Sequence, residues 1–306
     1  MGVTQFWQLD APVLLAALLA GGTCGLLGSF LVLRRESLLG DALSHAVLPG
    51  IVAGFALTGL RSSVPMLLGA LGAALLATFL INAVRRLARL ESAAATGLVF
   101  TGFFAAGLVL LEVTGARSAD LDVDCVLFGQ LETLVWLQGT GWAALLDPVA
   151  LAGLPRQLGL LAAVAVAAFA IVALCWRPLQ VVAFDPDFAA SLGLRVSRWE
   201  LGLNLLVAAA AVAAFEAVGS ILVVALLVCP AAALRLLTSR YRVQLWGGAA
   251  LGAGLGVAGV ALAGPLPAAL GWSLSLNAAG TIGTLAGLAV AAALLLGRHG
   301  SPSRAA

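Results

Sequence analysis

VGSILVVALLVCPAAALRLL, residues 218–237, contains a single charged side chain, Arg235, and no alternation of apolar with polar positions. A helix needs ~20 predominantly apolar residues to cross a bilayer, whereas a barrel strand is shorter and alternates. Working outward, comparable runs cover 11–33, 41–60, 64–84, 93–113, 157–176, 199–217, 243–264 and 276–296, which makes nine. Eight follows instead if the poorly separated pair over 199–237, divided only by Glu216 and Gly219, is partly re-entrant.

Composition supports the same conclusion. Of 306 residues, 62% are hydrophobic and 10% charged, and mean hydropathy is +1.10. A soluble domain of this length cannot hide that much apolar surface. Disorder is excluded by the same numbers, and a net charge of +2 excludes a nucleic-acid binder. The expected fold class is all-α: a polytopic membrane helical bundle of 8–9 transmembrane helices in contact with lipid. Its 36 glycines and many alanines allow membrane helices to pack closely. The four cysteines form no CxxC pair, so neither a disulfide framework nor a zinc-thiolate site is expected.

Every basic residue is arginine. With Met1 outside, thirteen of the sixteen arginines face the cytoplasm and only Arg61, Arg117 and Arg156 face outward, as the positive-inside rule favours. The whole chain, 1–306, then forms a single transmembrane domain. An outer region covers 114–155, a cytoplasmic segment covers 177–198, and a disordered tail is expected over 297–306.

The stretch RRESLLGDALSHAVLPG, residues 34–50, concentrates the chemistry. Asp41 and His45 stand four residues apart, so on a helix they share one face. Ionisable groups inside a membrane span are costly and face a cavity or the bundle interior. A carboxylate and an imidazole this close can hold a divalent cation. They can equally well serve structure, with Asp41 near the surface and His45 bonded to a neighbouring helix. Pro49 and Gly50 predict a kink just beyond the pair. One chain supplies too few ligands for a closed site; a two-fold dimer would supply two Asp and two His, a set suited to Mn²⁺ or Zn²⁺.

Elsewhere, Asp185 or Asp187 can cap a short cytoplasmic helix with Pro186 in its first turn and Gly193 at its end. Phe184, Phe188 and Leu192 give that helix an apolar side, to dock on a partner or to lie on lipid. The acids Asp120, Asp122 and Asp124 either draw cations to an outer entrance or hydrate a loop. Glu216, near a span end, is structural or lines the path.

These motifs resemble the ABC-3 type permease subunits of bacterial manganese/zinc/iron ABC importers. SLLGDALSHAVLPG is similar to that family's second-helix signature. LDVDCVLFGQ (121–130), AFDPDFAASLGL (183–194) and VGSILVVALLVCPAAALRLL (218–237) resemble its outer-loop, coupling and late-helix motifs, in the family's order. The resemblance runs from about residue 20 to 290 and implies a type II ABC importer-like permease in the bacterial cytoplasmic (inner) membrane. It implies that Asp41 and His45 coordinate the transported metal transiently, Mn²⁺ or Zn²⁺ with Fe²⁺ possible, and that no cofactor is bound permanently. The implied partners are a cytoplasmic ATPase at the 184–193 segment, an extracytoplasmic solute-binding protein and a second permease copy, identical or related. Glu36 departs from the family pattern, where an apolar residue is common. The chain has no GxxxxGK[ST] loop, so it is expected to be no enzyme and to draw its energy from the partner ATPase. Two other functions fit parts of the pattern: a cobalamin- or siderophore-type permease, and an ATP-independent metal carrier.

Overall fold

The computed structural model describes residues 5–58, 63–114, 131–264 apart from 140, 142, 143, 145 and 146, and 266–299 apart from 268–270 and 272–275. Among them there is helix and no strand. A π-helical turn, Phe6–Asp10, leads into α1 (Ala11–Leu33). Then follow α2 (Ser37–Ala46), α3 (Leu48–Thr58), α4 (Ser63–Ala88) and α5 (Ser92–Val113). Short α6 (Pro148–Ala152) precedes α7 (Arg156–Leu174), α8 (Trp176–Phe184) and α9 (Pro186–Ser191). The chain ends with α10 (Val196–Val218), α11 (Ser220–Leu237), α12 (Tyr241–Ala263) and α13 (Ala278–His299). The last helix thus reaches into the segment read as tail.

Eight of these helices are long and apolar enough to cross a membrane, so the chain is a multi-pass membrane protein. The run at 41–60 is not a continuous span. It is split into α2 and α3 at Val47, and α3 falls below spanning length. The two together still cross. Glu36, at the head of α2, lies 3.8 Å from Arg85 near the end of α4. Meanwhile α3 runs antiparallel to α4, with Gly50 against Gly69 and Gly54 against Pro65. From Ser37 to Thr58 the pair covers about 33 Å at ~1.5 Å per residue, enough for the hydrocarbon core. By contrast, α10 and α11 are both full length. Nothing there is re-entrant; only Gly219, at φ 82°, divides them, in a backbone region that side chains with a Cβ avoid.

Helix α1 is the centre of the bundle, with Ala16, Ala17, Ala20, Cys24, Leu26, Leu27 and Phe30 fully buried. Its tightest neighbour is α12. Antiparallel packing brings Ala17 against Gly256, Gly21 against Gly252 and Gly25 against Gly248, and a Cβ on any of these glycines would strike the facing carbonyl. One turn further, the Ser29 hydroxyl is shared between the Gly25 carbonyl at 2.9 Å and the Gln244 carbonyl at 3.1 Å. Each four-residue step along α1 is matched by a four-residue step back along α12. Small residues at this spacing let backbones touch, which is how helices associate where lipid removes the hydrophobic drive.

At the end where α1 begins, part of the outer region folds over the π-turn. Trp136 is fully buried, donates its indole N–H to the Ala150 carbonyl at 2.8 Å, and accompanies Trp7 and Ala11 in a small separate core. Its backbone N–H meets the Gln8 carbonyl at 2.9 Å. The opposite end gathers Arg34, Arg85 and the start of α10, through Glu36 and Glu200.

Candidate metal site and partner-facing segment

Helix α2 is amphipathic for a specific reason. Leu39, Ala42 and Ala46 are buried, and Gly40 sits so close to Leu31 and Leu227 that a Cβ there would crowd both. With that face committed to the core, His45 is turned toward α5, and Asp41 lies one turn before it on α2. Asp41 Oδ1 and His45 Nε2 lie 3.5 Å apart, at the long edge of a hydrogen bond and within ion-pair range. The imidazole packs on Phe104 edge-on at 5.4 Å and on Phe100 at 5.5 Å between ring centroids. Those rings restrict its rotation without offering it a competing polar partner. Side-chain exposure of 19% for His45 and 38% for Asp41 leaves both reachable.

Immediately beyond the pair the helix breaks. Pro49 has no N–H to give the carbonyl four residues back, that of His45, and its ring crowds it. The Val47 N–H bonds the His45 carbonyl instead, and helical bonding restarts with the Ile51 N–H to the Val47 carbonyl at 3.0 Å. The kink expected at Pro49 and Gly50 is therefore an interruption at Val47, upstream of both. Pro49 is the second residue of α3, and Gly50 is a contact point with α4. His45 ends up halfway along the broken passage. Broken membrane helices are tolerated where they border protein or a cavity, and such places hold ions in transporters.

Two donors, one oxygen and one nitrogen, suit a divalent cation passing through but do not close a coordination sphere. No group of three or more His, Cys, Asp or Glu side chains forms among the described residues. Glu216 is exposed near the end of α10 and is not grouped with Asp41 and His45. Asp120, Asp122 and Asp124 lie outside the described residues. Sequence reasoning missed Phe100 and Phe104. Their four-residue spacing was the available signal, hidden in a helix that is apolar all round.

The segment after α7 forms a second candidate. Asp185 caps α9: its Oδ1 accepts the Phe188 N–H at 2.9 Å, with Pro186 as first helical residue and Asp187 in the first turn. Gly193 at φ 80° ends the helix, and the Leu194 N–H returns to the Ala189 carbonyl at 3.1 Å. Phe184, Phe188 and Leu192 are 49%, 53% and 57% exposed at the arginine-rich end, but they do not share one helix side as expected: Phe184 ends α8, where its ring meets Tyr241 edge-on at 5.8 Å, and Leu192 follows the last residue of α9. Losing a cap costs about 1 kcal/mol. Asp185→Ala should therefore fray α9 while leaving the bundle folded, seen as faster amide hydrogen exchange over 186–191 with an unchanged melting temperature.

Fold and site define a polytopic helical membrane protein with an acid–imidazole pair on a broken helix. The chain belongs to the ABC 3 transport family, whose pattern matches residues 7–138 and 150–289. Among similar proteins, "Manganese transport system membrane protein MntD" of Bacillus subtilis (strain 168) is 36% identical over 233 residues, covering 76% of each chain. "Zinc transport system membrane protein TroC" of Treponema pallidum (strain Nichols) is 35% identical over 257 residues, covering 83% of this chain and 80% of that one. In solved structures, PsaBC from Streptococcus pneumoniae in complex with Fab matches with a TM-score of 0.70 at 25% identity, over 95% of this chain and 91% of that chain.

Proposed function

We propose that this chain is the membrane-spanning permease of an ATP-driven divalent-metal importer, with Mn²⁺ the preferred cargo and Zn²⁺ second. The observation that carries the reading is the Asp41–His45 pair, 3.5 Å apart and accessible, on a helix broken midway across the bundle. Mixed oxygen and nitrogen donors without thiolate suit Mn²⁺ and accept Zn²⁺. Relatives named for manganese and for zinc transport support this choice of cargo. Two copies about a two-fold axis would bring four donors to one ion, tight enough to select and loose enough to release.

The remaining assignments follow from position. The arginine-rich end is cytoplasmic by the positive-inside rule, with the start of α1 outside, and the bacterial inner membrane is the proposed location. The exposed apolar side chains of the 184–192 segment are then the docking face for a separate ATPase, and the capped opposite end receives the ion from a solute-binding protein. ATP binding biases the helices between two packings, opening the pair to one side and then the other. The test is uptake into proteoliposomes holding the permease with its ATPase and binding protein. Mn²⁺ should accumulate only with ATP. Uptake that survives ATP depletion, or none for Mn²⁺ and Zn²⁺ alike, overturns the reading.

A further inference from the structure

We propose that Arg34 is a positioning residue that couples the cytoplasmic docking segment to the metal pair, by joining Glu200 on α10 to Glu36 at the head of α2. The proposal rests on the reading of α9 as the ATPase-facing helix and of Asp41–His45 as the ion site.

The geometry is compact. Arg34 Nη2 lies 2.9 Å from Glu36 Oε2 and 3.3 Å from Glu200 Oε1, and only 9% of the Arg34 side chain is exposed. Arg85 adds a longer contact to Glu36 at 3.8 Å. The turn is built to hold this arrangement. Arg35 adopts φ 59°, a left-handed conformation unusual for a residue with a Cβ, while the Glu36 N–H returns to the Leu31 carbonyl at 2.9 Å. Such strain persists only where the surroundings enforce it. The ends of α1, α2, α4, α5 and α10 enclose a cavity of about 90 Å³ lined by Arg34, Glu36, Ser37, Thr96, Glu200 and Asn204.

Each link leads to the next along the chain. Helix α10 starts at Val196, directly after α9 and its Gly193 turn, and Glu200 lies one turn into it. Displacing α9 moves the head of α10 and with it the Glu200 carboxylate. Arg34 passes the displacement to Glu36, and Asp41 lies five residues further, about 7.5 Å along the helix axis. The cluster also has room to change partners. Arg34 Nη1, Glu36 Oε2 and Asn204 Oδ1 are buried with no hydrogen-bond partner among the described residues, so the 2.9 Å Arg34–Glu36 contact is an ion pair, while the arm to Glu200 is also a hydrogen bond. Two carboxylates sharing one buried arginine can exchange it between them, and that exchange is the two-state element the proposal assigns. A simple staple between α1 and α2 would need Glu36 alone; the arm to α10 is what makes the cluster a transmission point.

Glu200→Gln removes the charge of that arm, leaving at most a neutral hydrogen bond, while Arg34 stays paired with Glu36. In proteoliposomes with the partner ATPase and binding protein, the readout is Mn²⁺ moved per ATP hydrolysed. Glu200→Gln should assemble with the ATPase and hydrolyse ATP, with the transport ratio lowered at least ~5-fold, the lower end of ordinary coupling. Glu200→Asp, which keeps the charge and shortens the reach, should fall between. A wild-type ratio in both variants overturns the proposal. So does failure of both to accumulate as folded protein, which would make Glu200 structural. Phe188→Ala and Asp41→Ala run alongside separate the two failures: if the first leaves ATPase binding intact, or the second leaves uptake intact, the underlying reading has failed whatever Glu200 does.

Discussion

Gly252→Leu is expected to yield no monodisperse protein in detergent. The Cβ alone would collide with the Gly21 carbonyl, a rigid backbone group that cannot turn aside. Helices α1 and α12 must then separate, and the contacts at Ala17–Gly256, Gly25–Gly248 and Ser29–Gln244 are strained together because they share one register. Overpacking commonly costs ~1–3 kcal/mol and more when backbone must move, against a total stability of ~5–15 kcal/mol for a typical domain. Because α1 is the centre of the bundle, the damage spreads. Gly254 is the control: on the same helix, a Cβ there meets nothing within 4 Å. Fluorescence-detected size-exclusion chromatography of Gly252→Leu and Gly254→Leu should give background signal for the first and a wild-type peak for the second. Two matching peaks would refute the packing register.

The second large effect concerns transport with the fold intact. His45→Ala should lower Mn²⁺ uptake at limiting metal by ~100-fold or more, since losing even a group that only orients a metal ligand costs ~10–100-fold in metal affinity. Asp41→Ala should do the same. The double variant should be little worse than either, because groups acting as a unit are strongly non-additive. Folding should survive, since Asp41 and His45 are partly exposed and the packing of α2 rests on Leu39, Ala42 and Ala46. Independent, multiplying losses would show that the two residues act at separate places.

Much of this was legible in the sequence, and the gaps have physical causes. Hydropathy reports whether a segment suits lipid, so the long spans were visible as apolar runs. It says nothing about hydrogen bonding within the segment. The interruption at Val47 therefore lay hidden inside the run 41–60, signalled only by Pro49, whose effect falls upstream on the His45 carbonyl. Glu216 and Gly219 drew attention to the wrong place for the same reason: a charge near a junction resembles a break, yet α10 and α11 are both complete. The Asp41–His45 pair was legible because four-residue spacing is local. Arg34 meeting Glu200 was not, since no local pattern joins residues 166 positions apart. The abundance of glycine suggested close packing, but only the structure pairs Gly21 with Gly252 and Gly25 with Gly248.

If His45 and Asp41 grip the ion together, pulsed electron paramagnetic resonance of Mn²⁺ bound to the purified, tag-free permease should detect the imidazole. The chain holds two histidines, His45 and His299, so an imidazole-nitrogen modulation has few sources. That modulation should be present in wild type and in His299→Ala, and should disappear in His45→Ala. Its absence from wild type, or its persistence in His45→Ala, would contradict the account.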